Sequence, residues 1–291
     1  MDQDQSNRPE RRRLARMLMS VLACAGTSVS AHDFWVQPNA YWISPTAVTA
    51  MTLQVGHGPA RQRSPIPLAR ILRFEAFGPD GKKIDLKGGL QLGGTSEDGD
   101  FVLRKPGAHV IVLQTDDGAQ THLPSLRFND YLKAEGLTPA LRQRTRLGRM
   151  DRDGSENYSR CAKSLLQVGQ AELAGQQQVT HPVGLPLEIV PDRSPYATPA
   201  STSFPVRVFY QGRPLTGALV KLTRLEDDAT PFETRVTDRA GRAIFTMPSG
   251  DSWLLNVIWT RVQPSSAETD FETTFSSLSF GFPTSHAPRR S

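Results

Sequence analysis

Between Ala47 and Val55 the chain alternates, with Met51, Leu53 and Val55 on one side and Ala50, Thr52 and Gln54 on the other. A period of two predicts a half-buried strand. Arg70 to Phe77, Gly99 to Arg104 and Ala108 to Thr115 predict further strands, separated by Gly78-Pro79-Asp80-Gly81 and Lys105-Pro106-Gly107. Turns of this composition join antiparallel neighbours, so residues 32 to about 121 are expected to form an antiparallel sandwich.

The pattern changes over residues 125 to 168. LRFNDYLKAEGL predicts a short helix with Leu126, Tyr131 and Leu132 as apolar positions and Gly136 as its stop, and TPALRQRTRLGR predicts a second. Tyr158, Cys161, Ala162, Leu165 and Leu166 are spaced three and four apart, which predicts a third helix, opened by a capping box of Asp153 and Glu156. The segment reads as a helical insertion packed on the sandwich, with its basic residues facing solvent.

After Gly184 strand patterns return in LEIV, FPVRVFYQG, ALVKLTRL, ETRVTD, RAIFTM, SWLLNVIW and TTFSSLSF. Seven short strands with turns at Tyr210 to Pro214 and Thr237 to Gly241 predict an immunoglobulin-like sandwich. Pro191 to Pro199 suits a connection between its sheets. The expected fold is therefore mainly β: an N-terminal β-sandwich over 32–184 with the insertion at about 125–168, an immunoglobulin-like β-sandwich over 185–283, and a flexible tail over 284–291.

The N-terminus follows a different logic. RPERRRLAR is basic, MLMSVLACAG is apolar but too short to span a bilayer, and Val29-Ser30-Ala31 offers small residues for cleavage. This predicts a signal peptide over 1–31, a mature chain beginning at His32, and a periplasmic or secreted location. Leu22-Ala23-Cys24 as a lipoprotein box, with Cys24 lipidated, and Arg11-Arg12-Arg13 as a twin-arginine signal are rival export readings. The formal charge of +5 is concentrated here: without residues 1–31, 29 basic and 26 acidic residues remain. A near-balanced mature chain gives no case for a nucleic-acid partner. Only Cys24 and Cys161 are present. The mature chain thus has one thiol and no internal disulfide, and Cys161 reads as a buried apolar residue.

Cleavage after Ala31 would give His32 a property no internal histidine has. Its α-amino group, with an unperturbed pKa of roughly 7.7 to 8, and its own imidazole Nδ1 chelate one metal ion. A second imidazole adds a third nitrogen in a plane, a donor set that suits Cu(II) and then Ni(II). The partner expected is His57, in Val55-Gly56-His57-Gly58, which continues the face of Met51, Leu53 and Val55. His122, at the end of the strand that returns toward the insertion, is a third candidate ligand. Asp33 and Trp35 alternate away from His32; Asp33 is expected to cap a turn or orient a ligand from outside, and Trp35 to pack. His109 is expected to be a satisfied strand residue, His181 a linker residue and His286 part of the tail. Asp98, Asp100, Asp116 and Asp117 lack the spacing of a calcium loop and read as solvated turns.

No HExxH, GxSxG, P-loop or dinucleotide pattern occurs. The segments HDFWVQP, FNDYLKAEGL, NYSRCAKSLLQVG, GLPLEIVPDRSPY, RVFYQGRPLTGALVKL and TDRAGRAIF, in this order, resemble domain-of-unknown-function family 4198. That resemblance implies an exported bacterial β-rich protein with an immunoglobulin-like C-terminal half, of a kind labelled nickel-uptake-like. The expectation is a non-enzymatic copper- or nickel-binding protein acting in metal uptake, delivery or tolerance, with a membrane transporter or envelope protein as partner. The alternative is a metal-free interaction module of the envelope. An oxidative copper enzyme would need an open coordination position and a flat substrate surface, and the sequence shows neither.

Overall fold

The computed structural model describes residues 33–170, 176–197, 201–248 and 250–283. The expected signal peptide and cleavage site, His32, and the tail with His286 lie outside these residues. In chain order the strands are β1 (Phe34–Pro38), β2 (Trp42–Ile43), β3 (Val48–Val55), β4 (Gln62–Arg63), β5 (Ile71–Phe77) and β6 (Lys83–Asp85). Next come β7 (Gly99–Val102), β8 (Gly107–Thr115) and β9 (Ala119–Leu123), then the helices α1 (Ser125–Ala134) and α2 (Thr138–Arg146), and β10 (Gly154–Val168). The rest are β11 (Leu187–Pro191), β12 (Ser203–Tyr210), β13 (Arg213–Pro214), β14 (Leu219–Arg224), β15 (Glu233–Val236), β16 (Arg242–Thr246), β17 (Ser252–Val262) and β18 (Phe271–Gly281). The fold is mainly β, with two short helices.

A ten-stranded sheet in the order β15-β14-β17-β18-β10-β8-β5-β6, with β2 and β9 also paired to β10, forms the middle layer. One face meets the sheet of β11, β12, β13 and β16 around a core that includes Trp253, Phe245, Phe280, Cys161 and Leu165. The other meets the sheet of β1, β3, β4 and β7 around Phe34, Leu53, Phe74, Ala162 and Leu166. Because β10 pairs in parallel with β18, this middle sheet runs unbroken through sequence on both sides of Gly184.

The third predicted helix is corrected: residues 154–168 are a fifteen-residue strand. Cys161 and Leu165 point to one core and Ala162 and Leu166 to the other, so the apolar positions come in adjacent pairs instead of alternating. A strand covered on both faces carries no period of two. The capping box also fails. Asp153 Oδ1 instead accepts a 3.1 Å hydrogen bond from the Ser125 amide at the start of α1, and Glu156 is buried beneath the helix. The helical part of the insertion thus ends at Arg146.

α1 docks through Phe128, Tyr131 and Leu132, all buried with Ile258 and Phe271, while Leu126 faces solvent, 71% exposed, against expectation. Gly154 permits the approach, since a Cβ there would stand 2.1 Å from the Phe128 ring. Gly136 ends the helix at φ +64°, as its sequence position predicts.

Glu156 accepts hydrogen bonds from Tyr131 and Thr273 in this interface, and burial pushes its carboxyl up to about 7. The unfolded chain loses that proton near pH 4.5, whereas the folded chain keeps it until about pH 7. Stability is therefore expected to fall as pH rises between these values and to level off above them. Glu156→Gln should flatten that stretch of the stability profile measured by urea denaturation; an unchanged slope would show that Glu156 is ionised throughout.

Candidate functional site

The first strand begins in a polar cluster assembled from five distant parts of the chain. β1 pairs antiparallel with β3, Phe34 opposite Val55, and the ladder continues with a 2.9 Å bond from the Gly56 amide to the Asp33 carbonyl. Gly56 then turns the chain at φ +95°, where a Cβ would lie 2.5 Å from the Ala60 carbonyl oxygen. His57 follows in extended backbone, ahead of a single 3-10 turn over Gly58–Ala60. Its side chain is partly buried.

The loop after β14 secures this turn. Asp228 accepts a 2.7 Å bond from the Gly58 amide and a longer one, 3.4 Å, from Arg61 Nη1, which also donates to the Leu225 carbonyl. The Arg61 guanidinium lies over the ring of Trp35, which is fully buried as the sequence predicts. One side of the cluster is thus fixed by a cation–π contact and an ion pair.

Asp33 does not cap a turn. Its carboxylate accepts from the amide nitrogen of Asn256 on β17, which lies opposite Lys221 on β14 and Ser277 on β18. Lys221 in turn donates to both oxygens of Glu135, at 2.7 and 2.6 Å, where α1 ends. Burial raises the Asp33 carboxyl to about 7, helped by the negative charges of Glu135 and Asp228 and opposed by Lys221 and the Asn256 bond. Asn256 Oδ1 is buried with no hydrogen-bond donor. The cluster therefore holds three carboxylates, two cations and one unused buried acceptor beside the turn that carries His57.

His122 is not brought here. It is exposed on β9 opposite Ser155, whereas the β10 residue level with Asn256 and Ser277 is Ala162. Seven residues of strand separate the two levels, roughly 23 Å at about 3.3 Å per residue. His109 is buried, with Nδ1 3.2 Å from the Gly107 carbonyl oxygen and Nε2 unpartnered, and burial lowers its pKa. His181 stands 2.8 Å from the Gln177 carbonyl oxygen. Cys161 is buried as expected, and burial pushes its thiol up to about 12, which keeps it protonated and a poor ligand.

The acidic turns are committed elsewhere. Asp98 accepts from the Leu53 amide and Arg63, and Asp116 from Arg70. Among the described residues no three His, Cys, Asp or Glu side chains come together as a metal site. Asn256, Lys221, Glu135 and Asp228 carry no local sequence signal. They meet Asp33 only because sheet register and helix docking place them there.

No curated protein matches the chain. Similar solved structures include the BSP domain of a biofilm associated protein, at 10% identity and TM-score 0.19, over 86% of this chain and 30% of that one. The D0-D1 domain of intimin is similar at 11% identity and TM-score 0.20, over 85% of this chain and 97% of that one. A Salmonella alpha-2-macroglobulin mutant gives 13% and 0.23, over 89% and 15%. This chain therefore spans less than a third of the length of two of the three. The family profile described as "Domain of unknown function (DUF4198)" matches residues 29–261, most of the sequence. The chain belongs to the DUF4198 family.

Proposed function

We propose that this is an exported transition-metal-binding protein that holds copper or nickel through the mature N-terminal His32 together with His57 and acts in metal uptake, delivery or tolerance. One observation carries the reading: the register of β1 and β3. Phe34 faces Val55 and the Asp33 carbonyl accepts from the Gly56 amide, so the residue that follows His32 in the sequence is bonded to the residue that precedes His57. The peptide bond alone keeps the His32 Cα about 3.8 Å from that of Asp33.

In the mature chain the α-amino group and Nδ1 of His32 and one imidazole nitrogen of His57 supply three nitrogens, the set that Cu(II) and Ni(II) favour. Asp33 supports the site from outside the coordination sphere, as a carboxylate held by Asn256. His122 has no part in it. The immunoglobulin-like reading of the C-terminal half draws support from its strand order, with β11, β12 and β16 in one sheet and β15, β14, β17 and β18 in the other.

The experiment compares the chain beginning at His32, the same chain with one added N-terminal residue, and His57→Ala, by Cu(II) and Ni(II) titration and electron spin resonance. Each change should weaken binding on the order of 100-fold, about 2.8 kcal/mol. Equal, weak binding by all three would remove the metal reading and leave a non-catalytic interaction module of the envelope.

A further inference from the structure

Residues 125–153 carry the whole net charge of the chain that follows the expected cleavage site. Of the 29 basic and 26 acidic residues in 32–291, seven and four fall in this segment, and 22 of each remain elsewhere. Arg127, Arg142, Arg146 and Arg152 are exposed, and none forms an ion pair with a described carboxylate. Three of the segment's four acids are already committed: Asp130 to Lys133, Glu135 to Lys221 and Asp153 to the Ser125 amide. The two-helix insertion is thus a cationic end on an otherwise balanced molecule.

Helix stability does not account for these charges. The helix dipole favours Arg146 in the last turn of α2 but disfavours Arg127 in the first turn of α1, and Arg142 and Arg146, one turn apart, repel each other. Apolar side chains stand exposed among them. Leu126 is 71% exposed beside Arg127, and Leu147 is 49% exposed beside Arg146. Asn129 Nδ2 donates a 2.7 Å hydrogen bond to the Met150 carbonyl and Arg144 Nε a 2.8 Å bond to Asn129 Oδ1, which draws the start of α1 and the loop after α2 to one end. A cavity of about 450 Å³ opens there between α2 and the β17–β18 turn. Leu147, Arg149 and Val262 line it, so these three share one accessible surface.

We propose that this end of the insertion docks on an anionic phospholipid surface. Arg127, Arg142, Arg146 and Arg152 meet lipid phosphates, while Leu126 and Leu147 enter the boundary between headgroups and acyl chains. The net charge argues for an anionic occupant, and the placing of single leucines next to arginines argues for a bilayer. Phosphates and acyl carbons lie in adjacent layers at every lateral position of a bilayer, whereas an acidic protein would have to match each leucine with a pocket of its own. Two leucines alone hold a bilayer weakly, so the attachment depends on charge and is reversible. Docking uses neither His32 nor His57, stands apart from the metal reading and is tested on metal-free protein.

The test is co-sedimentation of the chain beginning at His32 with vesicles of phosphatidylcholine alone or with about 30% phosphatidylglycerol. Binding to the anionic vesicles should be at least about tenfold tighter, and should be lost as salt rises from about 0.05 M to about 0.5 M. The double variant Arg142→Gln, Arg146→Gln should weaken it on the order of tenfold. The pair Leu126→Ser, Leu147→Ser leaves the charge intact and should weaken it as well. Lys82→Gln with Lys87→Gln removes the same charge from exposed positions flanking β6 and should leave binding unchanged. No binding to anionic vesicles, equal binding to both compositions, equal losses in the arginine and lysine variants, or full binding by the leucine variant overturns the proposal. An acidic protein partner in place of lipid would give the first of these results, and the comparison of vesicles with unaltered protein decides the matter even where a variant fails to fold.

Discussion

Lys163→Met is expected to lower stability by about 3–5 kcal/mol, the range found when one partner of a buried ion pair is removed. Lys163 Nζ lies 2.9 Å from Glu188 Oε1, and both side chains are only 2% exposed. Glu188 also accepts the amides of Val183, Gly184 and Leu185, so part of its charge remains satisfied when the lysine goes. Lys163→Met should therefore fall at the lower end of the range. Glu188→Leu leaves an unpaired ammonium and three amides without acceptors, and should fall at the upper end. Burial already disfavours the charged form of Lys163. The double variant should consequently cost less than the two single losses together, by at least about 1 kcal/mol of coupling. Urea denaturation of the four proteins measures this directly, and strictly additive losses would show that the pair does not act as a unit.

Phe128→Ala should cost a similar amount, about 3–5 kcal/mol. The ring is fully buried, meets Tyr131 and Phe271 at centroid distances of 5.8 and 5.7 Å, and lies 5.0 Å from the Arg144 guanidinium. Its loss empties the space between α1 and the middle sheet. The consequence reaches the polar cluster, because Glu135 at the end of that helix is held against Lys221 beside Asp33. Hydrogen exchange should accelerate first in residues 125–136, with β17 and β18 still protected. Uniform acceleration across the sheet would mean that the helices and the sandwich open together.

Part of the β framework was legible because strands such as β3, β7, β12 and β16 have one face in a core and the other less buried. β3 shows this plainly: Met51, Leu53 and Val55 are buried while Ala50, Thr52 and Gln54 are half-buried, so alternation survived in the sequence. The turns were legible for a different reason. Gln211 and Gly212 at φ +49° and +73°, and Gly241 at +72°, occupy left-handed backbone that only a few residue types adopt readily. β10 was not legible. Its apolar residues are shared between two cores, and Lys163 between them is buried only because Glu188, from a strand on the facing sheet, neutralises it. A polar residue inside an apolar run reads as a solvent face until its partner is known.

The same distinction governs the site. His57 could be singled out locally, as a histidine between glycines at a strand end. The burial of Trp35 followed from its residue type. The raised carboxyl of Asp33 did not, since it depends on burial by distant parts of the chain and then on the negative charges of Glu135 and Asp228, each more than a hundred residues away.

By itself the sequence determined where most strands other than β10 extend, where the chain turns, where the two helices lie and which histidines merit attention, because these depend on neighbours within a few residues. Only the tertiary structure decided that one ten-stranded sheet runs through both halves, that β10 is a strand and that Asp33 meets Asn256. Those outcomes depend on long-range register and on the cost of burying charge, and neither is written in any single segment of the chain.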